Sequence, residues 1–387
     1  MKKTLSLMLA LALMLSLLAG CGGSGAGTGS NAADGAPFKL GGTGPLTGGA
    51  AIYGNAAKNG AQIAVDEINA MGGIQFELRY EDDTHDAEKA VNAYNKLKDW
   101  GMQLSLGSVT SAPCSATAAE SYGDRIFALT PSASAPAVIE GKDNMYQMCF
   151  LDYPTQGGAS AQYISEMSLG EKIAIIWKND EDYSTGLRNS FVDRAAELGL
   201  DIVSETTFTD ETNDFTVQLT EAQNAGADLV FLPMYYQPAS LIFSQANAMG
   251  YAPKWFGVDG MDGILTMEGF DPTMAEGVML LTPFNADSSD AATAAFVGKY
   301  QELYGETPNQ FAADAYDCVY AYKQALEAAG ATADMSASEL CDLMISQFTS
   351  MTFNGLTGTG MTWDTTGAVS KGAHGCVIKD GAYVGLD

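Results

Sequence analysis

Residues 103–136 read QLSLGSVTSAPCSATAAESYGDRIFALTPSASAP, and this stretch decides the fold class. Two short apolar runs, Gln103–Leu106 and Ile126–Leu129, have the length and composition of buried strands. A helix is predicted to begin near Ser111, because a serine followed two residues later by Pro113 suits an N-cap with proline in the first turn. Strand, helix and strand in this order predict a parallel pair joined by a helical crossover.

The same alternation continues on both sides of this stretch. Before it we predict the strand Phe38–Gly42, a helix ending at Met71, the strand Gln75–Tyr80 and the helix Ala87–Trp100. After it we predict strands Lys172–Trp177, Asp201–Thr207, Leu229–Leu232 and Lys254–Val258, and helices Thr185–Leu198, Phe215–Ala225, Pro238–Met249, Ala291–Tyr304 and Phe311–Ala329. The Thr- and Gly-rich end, Phe353–Val384, favours antiparallel strands. The pattern predicts an α/β chain of two doubly wound, parallel-sheet lobes.

Composition excludes several classes of protein. The 387 residues include 47 acidic and 19 basic side chains, a formal net charge of -28, so nucleic acid and anionic membrane surfaces are excluded as main partners. The hydrophobic fraction of 47% supplies a folded core and excludes intrinsic disorder. With His85 and His374 as its only histidines, the chain has no His-rich metal site.

The N-terminal segment is typical of a secretory signal. Residues 1–20 combine two lysines with an apolar run from Leu5 to Leu18, which is too short for a permanent membrane span. The ending Leu-Ala-Gly-Cys at 18–21 resembles the bacterial lipobox, which implies cleavage before Cys21 and lipid attachment there. The alternative is an ordinary secretory signal in which this cysteine is incidental. Residues 21–36 are almost all small or polar and predict a flexible linker, so the membrane is contacted through a lipid anchor only.

The remaining cysteines match no metal or redox spacing. They are Cys114, Cys149, Cys318, Cys341 and Cys376. We interpret them as buried small hydrophobic residues. The alternative is one disulfide among the last three, which an oxidising exterior would permit.

Three strand ends carry residues that suit a small polar ligand, since ligands of open α/β sheets bind at the carboxyl ends of the strands. Residues 107–113 (GSVTSAP) enter a helix, whose N-terminus favours a carboxylate. Residues 130–136 (TPSASAP) form a stiff loop with exposed hydroxyls and carbonyls, and Asp259 lies between glycines where it would pair with an ammonium group. The alternatives are plain capping, a solvent loop and a turn aspartate.

Enzyme and cofactor interpretations fail on the residues. Residues 42–47 (GTGPLT) have threonine where a dinucleotide fingerprint needs its third glycine, and no P-loop lysine motif or nucleophile elbow is present. A Ser-His-Asp triad would have to use one of the two histidines. The acidic run at 81–86 is interpreted as a strand end followed by helix caps rather than a metal site. We therefore predict no catalytic residue, no metal site and no cofactor.

Short motifs follow one another in a specific order and spacing. They are GPLTG (44–48), AVDEIN (64–69), YEDD (80–83), TPSASAP (130–136), DYSTG (182–186), GVDG (257–260) and TPNQFA (307–312). Together they resemble the type I periplasmic binding proteins of the leucine/isoleucine/valine-binding class, which feed ABC transporters. The resemblance runs from about Phe38 to the C-terminus.

The resemblance implies a ligand-binding role for each matching residue. Ser111 and the helix behind it would hold an α-carboxylate, Ser132 would offer its carbonyl to the α-ammonium, and Ser134 would give its hydroxyl and N–H to the carboxylate. Asp259, where the family usually has glutamate, would pair with the ammonium from the second lobe. The rest of the implied set covers the ligand or lines its side-chain pocket: Tyr183, Tyr236, Tyr53, Val109, Phe311, Thr110 and Ala133.

The resemblance also implies an organisation. The chain would cross between lobes three times, near residues 154, 283 and 350. Lobe 1 would comprise residues 37–154 and 284–350, and lobe 2 residues 155–283 and 351–387. Some family members carry a disulfide between the positions of His85 and Thr110, which this chain cannot form.

The implied function is that of an extracytoplasmic, lipid-anchored, monomeric substrate-binding protein of an ABC transporter. It would capture a branched-chain or other apolar amino acid between closing lobes and deliver it to the permease. The alternatives are the same fold binding an amide, urea or aromatic acid, or acting as a sensory ligand-binding module. An enzyme is the least favoured, since no nucleophile and base are paired in the sequence.

Overall fold

A computed structural model of the chain describes residues 35–150 and 156–386. The predicted signal peptide, Cys21 and residues 21–34 of the predicted linker lie outside these residues, and so does the predicted crossing near residue 154. In the described part of the chain, no helix combines the length and the apolar character that a membrane crossing requires.

The first sheet is built from the N-terminal alternation. Its five parallel strands have the spatial order β2-β1-β3-β4-β5. They are β1 (Phe38–Gly44), β2 (Phe76–Asp82), β3 (Leu104–Ser108), β4 (Phe127–Thr130) and β5 (Met145–Gln147), and the helices between the first four are α1 (Ala51–Met71), α2 (Ala87–Trp100) and α3 (Ser111–Asp124). The carboxylate of Asp86 caps α2 by accepting the Lys89 N–H at 2.8 Å, which confirms the interpretation of the acidic run.

The second sheet has seven strands in the order β12-β11-β10-β9-β8-β6-β7. They are β6 (Lys172–Lys178), β7 (Asp201–Phe208), β8 (Leu229–Phe231), β9 (Lys254–Phe256), β10 (Met279–Thr282), β11 (His374–Lys379) and β12 (Ala382–Gly385). The helices of this part are α4 (Gly157–Glu166), α5 (Asp182–Leu198), α6 (Thr216–Asn224) and α7 (Tyr236–Met249). The strands from β6 to β10 pair in parallel, and β11 and β12 add the predicted antiparallel end.

Three further helices follow β10: α8 (Ala291–Tyr304), α9 (Gln310–Ala329) and α10 (Ala337–Phe348). They return to the first sheet, where α8 and α9 pack on α1, and α10 packs on β3 and β4. We call β1–β5 with α1–α3 and α8–α10 the first lobe, and β6–β12 with α4–α7 the second lobe. The predicted fold class, α/β with parallel sheets in two lobes, is confirmed.

Four elements were not predicted: α4, β5, β10 and α10. The strands β5 and β10 have only three and four residues, too few for a periodic pattern, and α4 begins with two glycines. The helix α10 carries a full capping box between Ser336 and Glu339, and this signal was available in the sequence.

Residues 353–371 lie against the first lobe. Lys371, which is buried, donates hydrogen bonds to the Met148 carbonyl at 2.9 Å and to Thr357 Oγ1 at 2.6 Å, and it pairs with the buried carboxylate of Asp314 on α9. The carboxylate of Asp317 accepts the Thr357 N–H at 2.9 Å. The predicted domain boundaries stay a prediction, and these contacts favour a last crossing nearer residue 372 than residue 350.

All five described cysteines are buried. Cys114, Cys318, Cys341 and Cys376 are free thiols in the described part of the chain, so the alternative of a disulfide among the last three is wrong. Burial raises the pKa of the Cys114 thiol to about 11, and this makes it a poor nucleophile. These cysteines serve as small core side chains, as the main interpretation holds.

The contact between α1 and α9 gives a test of the packing. An ideal Cβ on Gly60 of α1 would lie 1.9 Å from the Ala312 carbonyl oxygen of α9. We expect Gly60→Ala to lower the free energy of unfolding by about 3 kcal/mol, because the backbone of α9 must shift. Gly298→Ala is the matched control, since nothing lies within 4 Å of an added Cβ at that position on α8.

The control should raise stability by up to about 1 kcal/mol through helix propensity. Urea denaturation of both variants measures the difference. Equal stability of the two variants would contradict the described helix contact.

Candidate functional site

The carboxyl ends of β3 and β4 place the predicted serine loops side by side. Ser132 Oγ donates to the Val109 carbonyl at 2.6 Å, and the Ala135 N–H donates to Ser111 Oγ at 3.2 Å. Ser134 and Ala133 are fully buried in the same loop. Hydrogen bonds therefore join the two loops into one unit, which we call the loop unit, at the carboxyl ends of the strands of the first sheet.

The helix α3 begins at this unit. Thr110 occupies the N-cap position without a capping side-chain hydrogen bond, and Ser111 is the first helical residue. The prediction of Ser111 as the N-cap is therefore wrong by one residue, while Pro113 lies in the first turn as expected. The N-terminal end of α3 carries the positive end of the helix dipole, so the environment around Ser111 favours an anion.

The second lobe contributes a buried carboxylate. Asp259 follows β9 and is 4% exposed. Its Oδ1 accepts the Tyr183 hydroxyl at 2.5 Å and the Gly260 N–H at 2.9 Å, while its own N–H donates to Gln156 Oε1 at 2.9 Å. Burial raises the pKa of Asp259, and the hydrogen bonds that its carboxylate accepts from Tyr183 and Gly260 oppose that rise. Among the described residues, no lysine, arginine or histidine forms an ion pair with Asp259.

Aromatic rings fill the space between the lobes. Tyr53 of α1 lies with its ring 4.4 Å from Phe311 and 4.9 Å from Tyr236, measured between ring centroids. Tyr183 and Tyr235 stack in parallel, with centroids 4.5 Å apart. All of these rings except Tyr235 are buried. They form a cluster of rings from both lobes beside Asp259 and Gly260.

The Tyr53 hydroxyl joins the two lobes directly. It donates to the Gly260 carbonyl and accepts the Tyr236 N–H at 3.2 Å. Burial is the main cause that raises the pKa of Tyr53 well above its ordinary value, so this phenol stays protonated and can donate. The Gln310 side chain adds a second link by donating to the Asp259 carbonyl at 3.0 Å.

A third link runs through His85, between β2 and α2. Its Nδ1 lies 2.8 Å from Thr110 Oγ1, and its Nε2 lies 3.6 Å from Glu181 Oε1 at the start of α5. The positions that would carry the family disulfide, His85 and Thr110, are thus adjacent and joined by a hydrogen bond.

The structure brings the predicted residues together in two groups. Tyr53, Phe311, Tyr236, Tyr183 and Asp259 are linked through direct contacts or through Gly260, and Val109, Thr110, Ser111, Ser132, Ala133 and Ser134 form the loop unit. The interpretation from sequence missed Gln310, Gln156, Glu181 and His85. Their partners are set by contacts far apart in sequence.

This arrangement suits a small zwitterion. The loop unit offers a helix N-terminus and hydroxyl groups, the other group offers a buried carboxylate among aromatic rings, and His85 contacts both through Thr110 and Tyr235. No group of three or more His, Cys, Asp or Glu side chains in the described part of the chain is placed to hold a metal ion. The role of each residue toward a ligand stays a prediction.

Comparisons with known proteins identify the family to which the chain is similar. A family described as periplasmic binding protein matches residues 37–382. The Leu/Ile/Val-binding protein BraC3 of Rhizobium johnstonii is 30% identical over 302 residues, which is 76% of this chain and 80% of that protein.

Two solved structures have the same fold. The leucine-binding protein LivK of Thermotoga maritima superposes with a TM-score of 0.81 at 26% identity, covering 90% of this chain and 98% of that one. LivJ of Streptococcus pneumoniae, in complex with isoleucine, superposes with a TM-score of 0.80 at 27% identity, covering 90% and 100%.

The Tyr53 link between the lobes is testable without a ligand. Tyr53→Phe removes the hydroxyl and leaves the Gly260 carbonyl and the Tyr236 N–H without this partner, at a cost of about 1–3 kcal/mol in the described arrangement. We expect small-angle X-ray scattering to show a larger radius of gyration, because the lobes separate.

Tyr322→Phe is the matched control, since that hydroxyl donates to Ser105 within the first lobe, at 2.6 Å. It should lower stability without changing the scattering. A Tyr53→Phe profile equal to that of the wild type would contradict the link.

Proposed function

The chain belongs to the periplasmic binding protein family, and we propose that it captures a branched-chain or other apolar amino acid for the permease of an ABC transporter. The family's name places its members in the periplasm, and so the chain works on the extracytoplasmic side of a membrane. The observation that carries the proposal is the buried carboxylate of Asp259, which has no basic partner among the described residues, in a chain that also presents a helix N-terminus with hydroxyl groups at Ser111.

The proposed ligand is placed by its charges. Its carboxylate would lie at the N-terminus of α3, held by Ser111 and Ser134, since helix N-termini bind anions. Its ammonium group would contact the Ser132 carbonyl and Asp259. The Tyr183 hydroxyl already donates to Asp259, so the ammonium would share this carboxylate with the phenol.

The side chain of the ligand would meet apolar surface. Tyr53, Phe311 and Val109 are each at most 4% exposed and would line its pocket. Tyr183 and Tyr236 of the second lobe would cover the ligand, and Thr110 and Ala133 would contact it through the loop unit. An apolar amino acid fits this lining better than a charged one, because a charged side chain would lose its hydration there.

Ligand binding and lobe closure are coupled in this proposal. Burying Asp259 without a cation is costly, so the closed arrangement gains free energy when an ammonium group arrives. The ligand then favours closure because it contacts both lobes. No bond is made or broken, and we propose that the chain is not an enzyme.

The alternative is a ligand without an ammonium group, such as an amide, a urea or an aromatic acid, or a sensory role for the same site. Aspartate instead of the family's usual glutamate at position 259 motivates this alternative. The shorter side chain reaches less far into the site. Asp259→Ala separates the two candidates, because only an amine-bearing ligand depends on this carboxylate.

Isothermal titration calorimetry of the mature chain, with Cys21→Ser and freed of co-purified ligand, tests the proposal against all twenty amino acids. We expect leucine, isoleucine or valine to bind the wild-type site, and Asp259→Ala to weaken that binding about 30-fold or more. Glu268→Ala is the matched control in the same lobe, where the side chain is exposed, and should leave affinity unchanged. A folded, ligand-free protein that binds none of the twenty would overturn the proposal.

We further propose that Cys21 carries the lipid that anchors the protein. Two acyl signals on one cysteine give the stable membrane attachment that a single chain does not. The Gly- and Ser-rich residues 22–36 would then act as a flexible tether between the membrane and the lobes.

Cys21→Ser should move the protein from the membrane fraction to the soluble fraction and abolish labelling by radioactive palmitate. Ser24→Ala, three residues away in the proposed tether, should leave both unchanged. Membrane attachment of the Cys21→Ser chain would show that this cysteine is incidental.

A further inference from the structure

An ion pair between the lobes borders the proposed ligand site. His85 belongs to the first lobe and Glu181 to the second, with 3.6 Å between Nε2 and Oε1. Among the ion pairs in residues 35–150 and 156–386, this is the one that joins elements of the two lobes. The contact therefore depends on closure.

Hydrogen bonds and a ring contact fix the orientation of the His85 imidazole. The Thr110 hydroxyl contacts Nδ1 at 2.8 Å, which directs Nε2 towards Glu181. The Tyr235 ring meets the imidazole edge-on, with centroids 5.5 Å apart. The backbone of His85 is in the left-handed region, with φ of 62°, and its N–H donates to Asp83 Oδ1 at 2.9 Å. A non-glycine residue in this conformation is uncommon, so the turn that presents the imidazole is well defined.

Glu181 is the more buried partner. Its side chain is 5% exposed, while that of His85 is 32% exposed. Lys178 lies near enough for its charge to act on Glu181, but its ammonium group is paired with Asp180 and Asp210, each at 3.1 Å. A buried carboxylate gains most from a partner with a full positive charge. Protonated His85 supplies that charge only when the lobes meet.

Both partners are connected to residues of the proposed site. Thr110 precedes Ser111, the proposed carboxylate contact, at the start of α3. On the other side, Tyr235 stacks on Tyr183, whose hydroxyl bonds to Asp259. The ion pair and the ligand therefore depend on the same closed arrangement.

We propose that His85 and Glu181 act as positioning residues that set ligand affinity through closure, with the protonated imidazole strengthening the closed state. The inference rests on the proposed function and adds a pH dependence to it. Imidazole is the side chain whose charge changes between pH 5 and 8. The ion pair needs a protonated imidazole, so we expect ligand affinity to be higher at pH 6 than at pH 8.

Other titratable groups face this contact. Glu181, Lys178 and Tyr235 belong to the second lobe, and Asp82, Asp83, Asp86 and Lys89 surround the turn of the first lobe. Burial raises the pKa of Asp83 to about 6, so this carboxyl also titrates in the same window. A variant that removes His85 and keeps Asp83 shows which of the two groups causes the pH dependence.

The test is calorimetric titration of L-leucine and L-isoleucine into the mature Cys21→Ser chain at pH 6 and pH 8. We expect the wild type to bind about 3–10-fold more tightly at pH 6, with a smaller ratio in 1 M NaCl because the imidazole is partly exposed. His85→Gln and Glu181→Gln should each abolish the ratio, and the double variant should add nothing to either. His374→Gln removes the other histidine, on β11, and should keep the full ratio.

A separate pair of variants tests the role of Thr110. Thr110→Val removes the hydroxyl that directs the imidazole and should reduce the pH ratio, whereas Thr110→Ser should restore it. A merely structural role for Thr110 would change affinity equally at both pH values. That outcome would contradict the positioning of His85.

Scattering of the ligand-free chain separates failure of this inference from failure of the proposed function. The radius of gyration should be smaller at pH 6 than at pH 8 in the wild type, and independent of pH in His85→Gln. Amino acid binding with a pH ratio unaffected by His85→Gln would overturn the inference and leave the function standing. A His85-dependent change in scattering without binding of either amino acid would leave the ion pair standing and overturn the proposed ligand.

Discussion

The burial of the Asp259 carboxylate is the constraint on which the arrangement between the lobes depends. The Tyr183 hydroxyl and the Gly260 N–H donate hydrogen bonds to its carboxylate, and the Gln310 side chain donates to its backbone carbonyl. None of them brings a positive charge. Because hydrogen bonds compensate the loss of water only in part, burying the ionised carboxylate costs free energy, and in the proposed function a ligand ammonium group would offset that cost. In that proposal, the buried carboxylate favours closure around an amine and disfavours closure without one.

The alternating pattern of the sequence predicts most of the fold, because each strand of a parallel sheet is a short apolar run bounded by turn residues. The helix α2 is predicted at Ala87–Trp100 and found there, since an aspartate cap and a glycine after Trp100 mark both ends. The strand β10, of four residues, was missed, although it is an interior strand of the second sheet. A local apolar pattern indicates that a strand is present, but whether a short interior strand forms depends on the strands with which it pairs.

The residues of the candidate site also fall into those that the sequence predicts and those that it does not. The loop unit around Ser111 and Ser132 was predictable, because strand ends of a doubly wound sheet meet at one edge. Gln310 and His85 were not, since their partners are 51 and 96 residues away along the chain. These residues reach the site because the two lobes meet there, and the local sequence gives no sign of that contact. Tyr235 lies between these cases, as its place after a strand was visible but its stacking partner was not.

Two buried aspartates differ in whether a positively charged side chain of the protein pairs with them. Asp314 is paired with Lys371, whose ammonium also bonds the Met148 carbonyl, and this permanent cation fixes residues 353–371 to the first lobe. Asp259 is as deeply buried but has no such partner in the described residues. A core carboxylate with its own lysine is satisfied in every state of the protein. An ionised core carboxylate without one gains a countercharge only from another molecule, and this difference, rather than burial itself, motivates the proposed role of Asp259 in binding.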